Sequence, residues 1–163
     1  MDAHTGYLDL YDFRRRVFAM YQERNAGMRN GANPEDVLAR FRRARDQLFA
    51  EHPQSALDDV QKGTFTGLRY FPYNPDASVS AEVVPTASSR REVIRITEDE
   101  SVPLEPVATL RFAIGGSKAE LTMYWTDVYG GGLFLPFRDT TAPDQTYGGG
   151  RYLFDTVKGS DFL

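Results

Sequence analysis

The sequence predicts an α+β fold: two N-terminal amphipathic helices packed on a curved antiparallel β-sheet, or partly open β-barrel, of about seven strands. Three observations carry this expectation. Apolar residues recur at helical spacing through the first third of the chain. Beyond Gly63 they alternate, as in half-buried strands. The alternating segments are joined by short Gly- and Pro-bearing turns, with no helical crossover between them, so the strands should run antiparallel. Residues 1–163 read as a single domain, 1–62 its helical part and 63–163 its β part.

The first helix is expected from Tyr7 to about Arg29. Leu10, Phe13, Val17, Met20 and Tyr21 give it one apolar face, and Gly27, Asn30 and Gly31 end it. The run Arg14-Arg15-Arg16 is either an anion patch or a solvated face paired with Asp9 or Asp12, and the solvated face is the favoured reading. The second helix has a defined start. Asn33 is a good N-cap, Pro34 suits the first helical position, and Glu35-Asp36 complement the positive end of the helix dipole. Val37, Phe41, Ala44 and Leu48 line its apolar face before His52-Pro53 stops it. Ser55 is read as the cap of a further short turn, Ala56–Val60.

The first strand is expected at Phe65–Pro72, which is rich in β-formers, followed by a turn at Pro72, Asn74 and Pro75. Val79, Ala81 and Val83 alternate with polar neighbours as a second strand, and Glu92–Thr97 is a third. Glu98-Asp99-Glu100 reads as a solvated turn rather than a cation site. Ala108, Leu110, Phe112 and Ile114 alternate up to Gly115-Gly116, a strong hairpin signal, and Ala119, Leu121, Met123 and Trp125 return. Trp125, the only tryptophan, is expected to anchor the core. After a loop at 127–132, Leu133–Phe137 and Arg151–Thr156 complete the set.

Composition narrows the function classes. Residues 1–62 carry 10 Lys+Arg against 10 Asp+Glu, and residues 63–163 carry 9 against 13. With no basic excess in either part, nucleic acid is a poor partner. The chain has no cysteine, which removes disulfides, thiolate metal ligands and cysteine nucleophiles. Two histidines, His4 and His52, leave little material for a histidine metal site or a Ser-His-Asp triad. No metal and no cofactor are therefore expected. No apolar run approaches the ~18 residues of a membrane span, and the N-terminus lacks a signal peptide's pattern, so a cytoplasmic location is expected, without membrane association.

The stretch Leu133–Asp155, LFLPFRDTTAPDQTYGGGRYLFD, is the most specific in the chain. It reads as strand, connection, strand. Arg138-Asp139 falls where the first strand ends, and Arg151 opens the second just after Gly148-Gly149-Gly150. If the strands pair, Arg138, Asp139, Tyr147 and Arg151 gather at one rim, with Gly149 and Tyr152 beside them: guanidinium forks for a carboxylate or phosphate, a carboxylate and a phenol. Bare glycine backbone can also approach an anion. The glycines equally suit a bulge or tight turn, which is favoured; Asp139 can form an Asx-type turn with Thr140 and Thr141, and Arg138 can pair internally with Asp139 or Asp155, which is the favoured reading of that pair. Asp127, Asp139 and Asp155 are the available general bases, but no spacing forces two carboxylates into a working pair.

Leu133–Thr140 (LFLPFRDT) followed by Thr146–Leu153 (TYGGGRYL) resembles the signature of a family of small bacterial and archaeal proteins known only as a domain of unknown function. Phe65–Tyr73 (FTGLRYFPY) and the arginine-rich second helix are similar to it as well. The resemblance implies a shared fold and a shared site, and no mechanism. It also implies a continuation, since members carry a further strand with an Asp-Phe-Asn motif and a Cys- and Pro-containing tail beyond the point where this sequence stops. Together these observations lead to a binding module for a small anionic ligand at the rim of a curved sheet. The alternatives are a structural or protein-interaction domain and a hydrolase using an aspartate base.

Overall fold

The computed structural model describes residues 3–87, 92–95, 101–127 and 131–155. They form two compact units that part between Tyr73 and Asn74. The fold is α+β, with helices in the first unit and an open antiparallel sheet in the second.

In the first unit, α1 spans Ala3–Arg29, α2 Pro34–Glu51 and α3 Asp59–Thr64. The α2 cap is the expected one: the Asn33 side chain accepts from the backbone N–H of Glu35 and Asp36, at 2.9 and 3.2 Å. Met20 on α1 and Val37 and Leu48 on α2 are buried, so the hairpin closes on the apolar stripe that the sequence spacing marks. Gly27 sets the approach of the two helices. A Cβ there would lie 2.9 Å from Val37 Cγ2, and Val37 is only 2% exposed. The solvated reading of the arginine run holds for two of its members, since Arg15 and Arg16 both pair with Asp12, at 2.7 and 2.6 Å.

Two expectations fail in this unit. Ser55 does not cap a helix over Ala56–Val60: its Oγ donates to Phe49 O and accepts from Leu57 N–H. The short helix α3 begins later, behind Asp58, whose carboxylate and the Gln61 side chain form a reciprocal capping box. Phe65–Pro72 is not a strand. Its backbone is satisfied by α2 side chains instead, with Leu68 N–H donating to Asp46 and Arg42 Nη2 to Phe71 O. β-formers alone do not make a strand when no ladder partner is present.

Among the described residues the second unit has six strands, against the expected seven or so: β1 Glu82–Pro85, β2 Glu92–Arg95, β3 Ser101–Ile114, β4 Ser117–Thr126, β5 Gly132–Phe137 and β6 Arg151–Asp155. The order is β1-β3-β4-β5-β6, all antiparallel, and β2 pairs with the other end of β3. The sheet is thus five strands wide, open and not a closed barrel. Bulges curl it. Val107 is an extra residue on β3, between the Pro106–Tyr124 and Ala108–Met123 pairs, and β6 carries a second irregularity opposite β5. The β3–β4 turn is Gly115-Gly116, with φ of 56° and 77°, the pair of positive values that a two-residue type I′ hairpin needs.

Trp125 does not anchor the core. It is 38% exposed, its Nε1–H donates to Asp127 at 2.9 Å, and Gly131 lies against its ring, where a Cβ would stand 2.2 Å from Cζ2. Leu104, Ala108 and Leu135 are the buried apolar residues of this unit among those described. The acidic run Glu98-Asp99-Glu100 lies outside the described residues.

Candidate functional site

The β5–β6 hairpin organises the site. Phe137 pairs with Arg151 and Pro136 with Tyr152, so Arg151 and Phe137 share one face and Tyr152 the other. The Arg151 guanidinium lies over the Phe137 ring, 4.7 Å from its centroid. Tyr152 packs at a tilt on Phe134, ring centroids 5.6 Å apart.

The connection between the strands folds back on the end of β5. Asp139 begins an Asx-type turn, its Oδ1 accepting from Thr141 N–H at 3.0 Å and from the Thr141 hydroxyl. Oδ2 takes Arg151 Nη2 at 2.6 Å, and the same nitrogen reaches Thr141 Oγ1 at 3.2 Å. Since the Thr141 hydroxyl donates to Asp139, it must accept at its contact with Thr146 Oγ1, at 2.9 Å, and Thr146 is the donor there. The backbone closes the loop with Gln145 N–H and Thr146 N–H both on Thr141 O. The Ala142–Pro143 peptide is cis.

Two consequences follow from these bonds. The hydrogen bond from the Thr141 hydroxyl, with the Arg151 charge beside it, holds the Asp139 carboxyl below the usual carboxylate range. Asp139 is therefore ionised and engaged at both oxygens. Both hydrogens of Arg151 Nη2 are also taken, one by Asp139 and one by Thr141. Arg151 Nε and Nη1 make no hydrogen bond among the described residues, and the side chain is 32% exposed.

Of the sequence-predicted residues, the fold brings Asp139 and Arg151 into contact. Arg138 stands beside Gly150, where an added Cβ would lie 3.6 Å from Arg138 Cβ, and it is exposed. Among the described residues no ion pair joins Arg138 to Asp139, and alternation along β5 gives Phe137, not Arg138, the face of Arg151. Tyr147 is 77% exposed and lies over Gly149, where a Cβ would sit 2.6 Å from the Tyr147 ring. Gly150 has φ 97°, and a Cβ there would be 2.9 Å from Phe137 O. The geometry at Gly149 and Gly150 thus fits the tight-turn reading. The Asx-type turn of Asp139 with Thr140 and Thr141 is present, but nothing local in the sequence shows that Thr141 also meets Arg151 or that Thr146 donates to it.

Among the described residues no group of three or more His, Asp or Glu side chains is placed to hold a metal ion, and no helix is long and apolar enough to cross a membrane. A family model described as "Protein of unknown function (DUF1684)" matches residues 63–162. No curated protein matches the chain. Among solved structures, the chain is similar to the solution NMR structure of an uncharacterized protein of Haloarcula marismortui. The two share 35% sequence identity at a TM-score of 0.50, over 72% of this chain and 64% of that one.

Proposed function

We propose that this chain, which belongs to the DUF1684 family of proteins of unknown function, is a binding module for a small anion, held at the mouth of the β5–β6 hairpin. One observation carries the reading. Arg151 is held under its guanidinium plane by the Phe137 ring and through Nη2 alone by Asp139 and Thr141, and among the described residues it keeps Nε and Nη1 as donors at a partly exposed position. A guanidinium already held in place loses little freedom when it binds. Asp139 orients Arg151 and offsets its charge, and Arg138 falls off the face of Arg151, so little excess positive charge stands beside the free donors. That balance suits a monoanion, such as a carboxylate, better than a phosphate dianion. Tyr147, exposed over the turn at Gly149, is the aromatic this reading assigns to apolar contact with the ligand, whereas Tyr152 falls on the other face of the hairpin, against Phe134.

The hydrolase alternative has less support. Asp139 is held below the ordinary range and engaged at both oxygens, which makes it a weak base near neutrality, and Asp127 receives the Trp125 N–H. The interaction-domain alternative rests on β6, which among the described residues is an outer strand of an open sheet.

The test is a calorimetric titration with sodium acetate and then inorganic phosphate, on the wild type and on Arg151→Lys and Arg138→Met. Acetate binding that is lost in Arg151→Lys, with the thermal melt retained, is the expected result. Equal acetate binding by the wild type and Arg151→Lys would overturn the assignment. Concentration-dependent dimerisation in sedimentation, with no anion effect, would favour the interaction reading.

A further inference from the structure

His52 is buried, 4% exposed, and lies outside the site described above. It sits at the end of α2 and touches three elements. Its ring packs edge-on against Phe13 of α1, centroids 5.2 Å apart. Its Nε2 is 3.4 Å from Asp12 Oδ2, also on α1. Its Nδ1 accepts the Gln54 backbone N–H at 3.0 Å, in the turn that leads to α3, while Lys62 of α3 donates to His52 O at 3.0 Å.

The tautomer follows from these contacts. A backbone N–H can only donate, so Nδ1 carries no proton, and the neutral ring holds its proton on Nε2, facing Asp12. A second proton has to go to Nδ1, where it meets the Gln54 N–H donor to donor. The surrounding charges do not remove this conflict. Asp12 attracts an imidazolium, but it already pairs with Arg15 and Arg16, and their hydrogen bonds hold its carboxyl low. The Lys62 ammonium is held by the His52 backbone oxygen, and Glu51, next to His52 in sequence, is engaged by Gln47.

We propose that His52 is a proton-operated latch on the α2–α3 connection. In its neutral form it holds the turn through Gln54 and α1 through Asp12. Protonation breaks the Gln54 contact first and frees the turn ahead of α3, while α1 and α2 stay packed through Met20, Val37 and Leu48. Histidine as a residue type changes charge between about pH 5 and 8, and that is the range over which the latch is tested.

The test is NMR on the whole chain. Long-range nitrogen correlation at neutral pH is expected to place the ring proton on Nε2. Amide exchange at Gln54, corrected for its intrinsic pH dependence, is expected to speed up roughly tenfold as His52 titrates, the scale of one lost hydrogen bond. His52→Asn keeps a side-chain acceptor for the Gln54 N–H in an Asx geometry and has no titration in this range, so its Gln54 exchange is expected to stay flat. A ring proton found on Nδ1 at neutral pH overturns the proposal, and so does Gln54 protection in the wild type that does not change as His52 titrates.

Discussion

Replacing Gly150 with alanine separates the two meanings of the triple glycine. At this residue φ is 97°, and the new Cβ would stand 2.9 Å from the backbone oxygen of Phe137. Gly116 is the internal control: its φ is 77°, but a Cβ there meets nothing within 4 Å. Gly116→Ala therefore costs backbone strain alone, about 1–2 kcal/mol. Gly150→Ala costs similar strain plus a clash that only a backbone shift relieves, for a total of about 2–5 kcal/mol. Gly149→Ala displaces only the exposed Tyr147 ring and should cost under ~0.5 kcal/mol. For a chain of this size about 1 kcal/mol moves the midpoint by roughly 2–4 °C. The expected order of losses in a thermal melt followed by circular dichroism is Gly149→Ala, then Gly116→Ala, then Gly150→Ala, the last roughly 5–15 °C. Hydrogen exchange should show the Gly150→Ala damage at Arg151 and Tyr152. A Gly150→Ala protein no less stable than Gly116→Ala would refute the claim that a backbone contact requires this glycine.

Other outcomes follow from single contacts. The Tyr70 phenol is pushed up to about 12 by burial first and by the Asp46 charge second, so Asp46→Asn should lower its titration midpoint without restoring the ordinary value; ultraviolet absorbance against pH reads this directly. Asp46→Ala should also leave Leu68 N–H and Tyr70 O–H without their acceptor, a loss of about 1–3 kcal/mol in chemical denaturation. Thr141→Val should raise the Asp139 midpoint in a carbon NMR titration, because the Thr141 hydroxyl is the largest cause of its depression. Both Asp12 and Asp139 have folded values below their unfolded ones. The stability they contribute is present above the unfolded carboxylate value of about 3.9 and is lost as pH falls through their folded values. Acid unfolding of Thr141→Val should therefore begin at higher pH than that of the wild type.

Much of the fold was legible where one local rule decides the outcome. Asn33 followed by Pro34 marks a helix start in any context, and Gly115-Gly116 marks a hairpin because two positive φ values in succession suit glycine. The misses have tertiary causes. Phe65–Pro72 looks like a strand, but Asp46 and Arg42, more than twenty residues earlier, take up its backbone groups. The first half of β3 was not foreseen; the alternation that marks the strand starts at Ala108, and prolines are uncommon inside a sheet. Pro103 and Pro106 both stand in the strand, and Pro106 sits next to the bulge at Val107. Trp125 reads as core by residue type, yet Asp127 and Gly131 hold it at the surface. At the site, the Arg151–Asp139 contact was foreseen in outline from the hairpin. The role of Thr141 depends on a turn that brings residue 141 back to residue 151, and the distribution of Arg151's hydrogens between them has no trace in the sequence.

The most direct test of anion binding at Arg151 is to follow the arginine Nε–H resonances of the wild type, assigned with Arg151→Lys, during an acetate titration. Binding at the hairpin mouth predicts that the Arg151 resonance moves saturably while the fold stays unchanged. An Arg151 resonance that stays fixed through saturating acetate would contradict it.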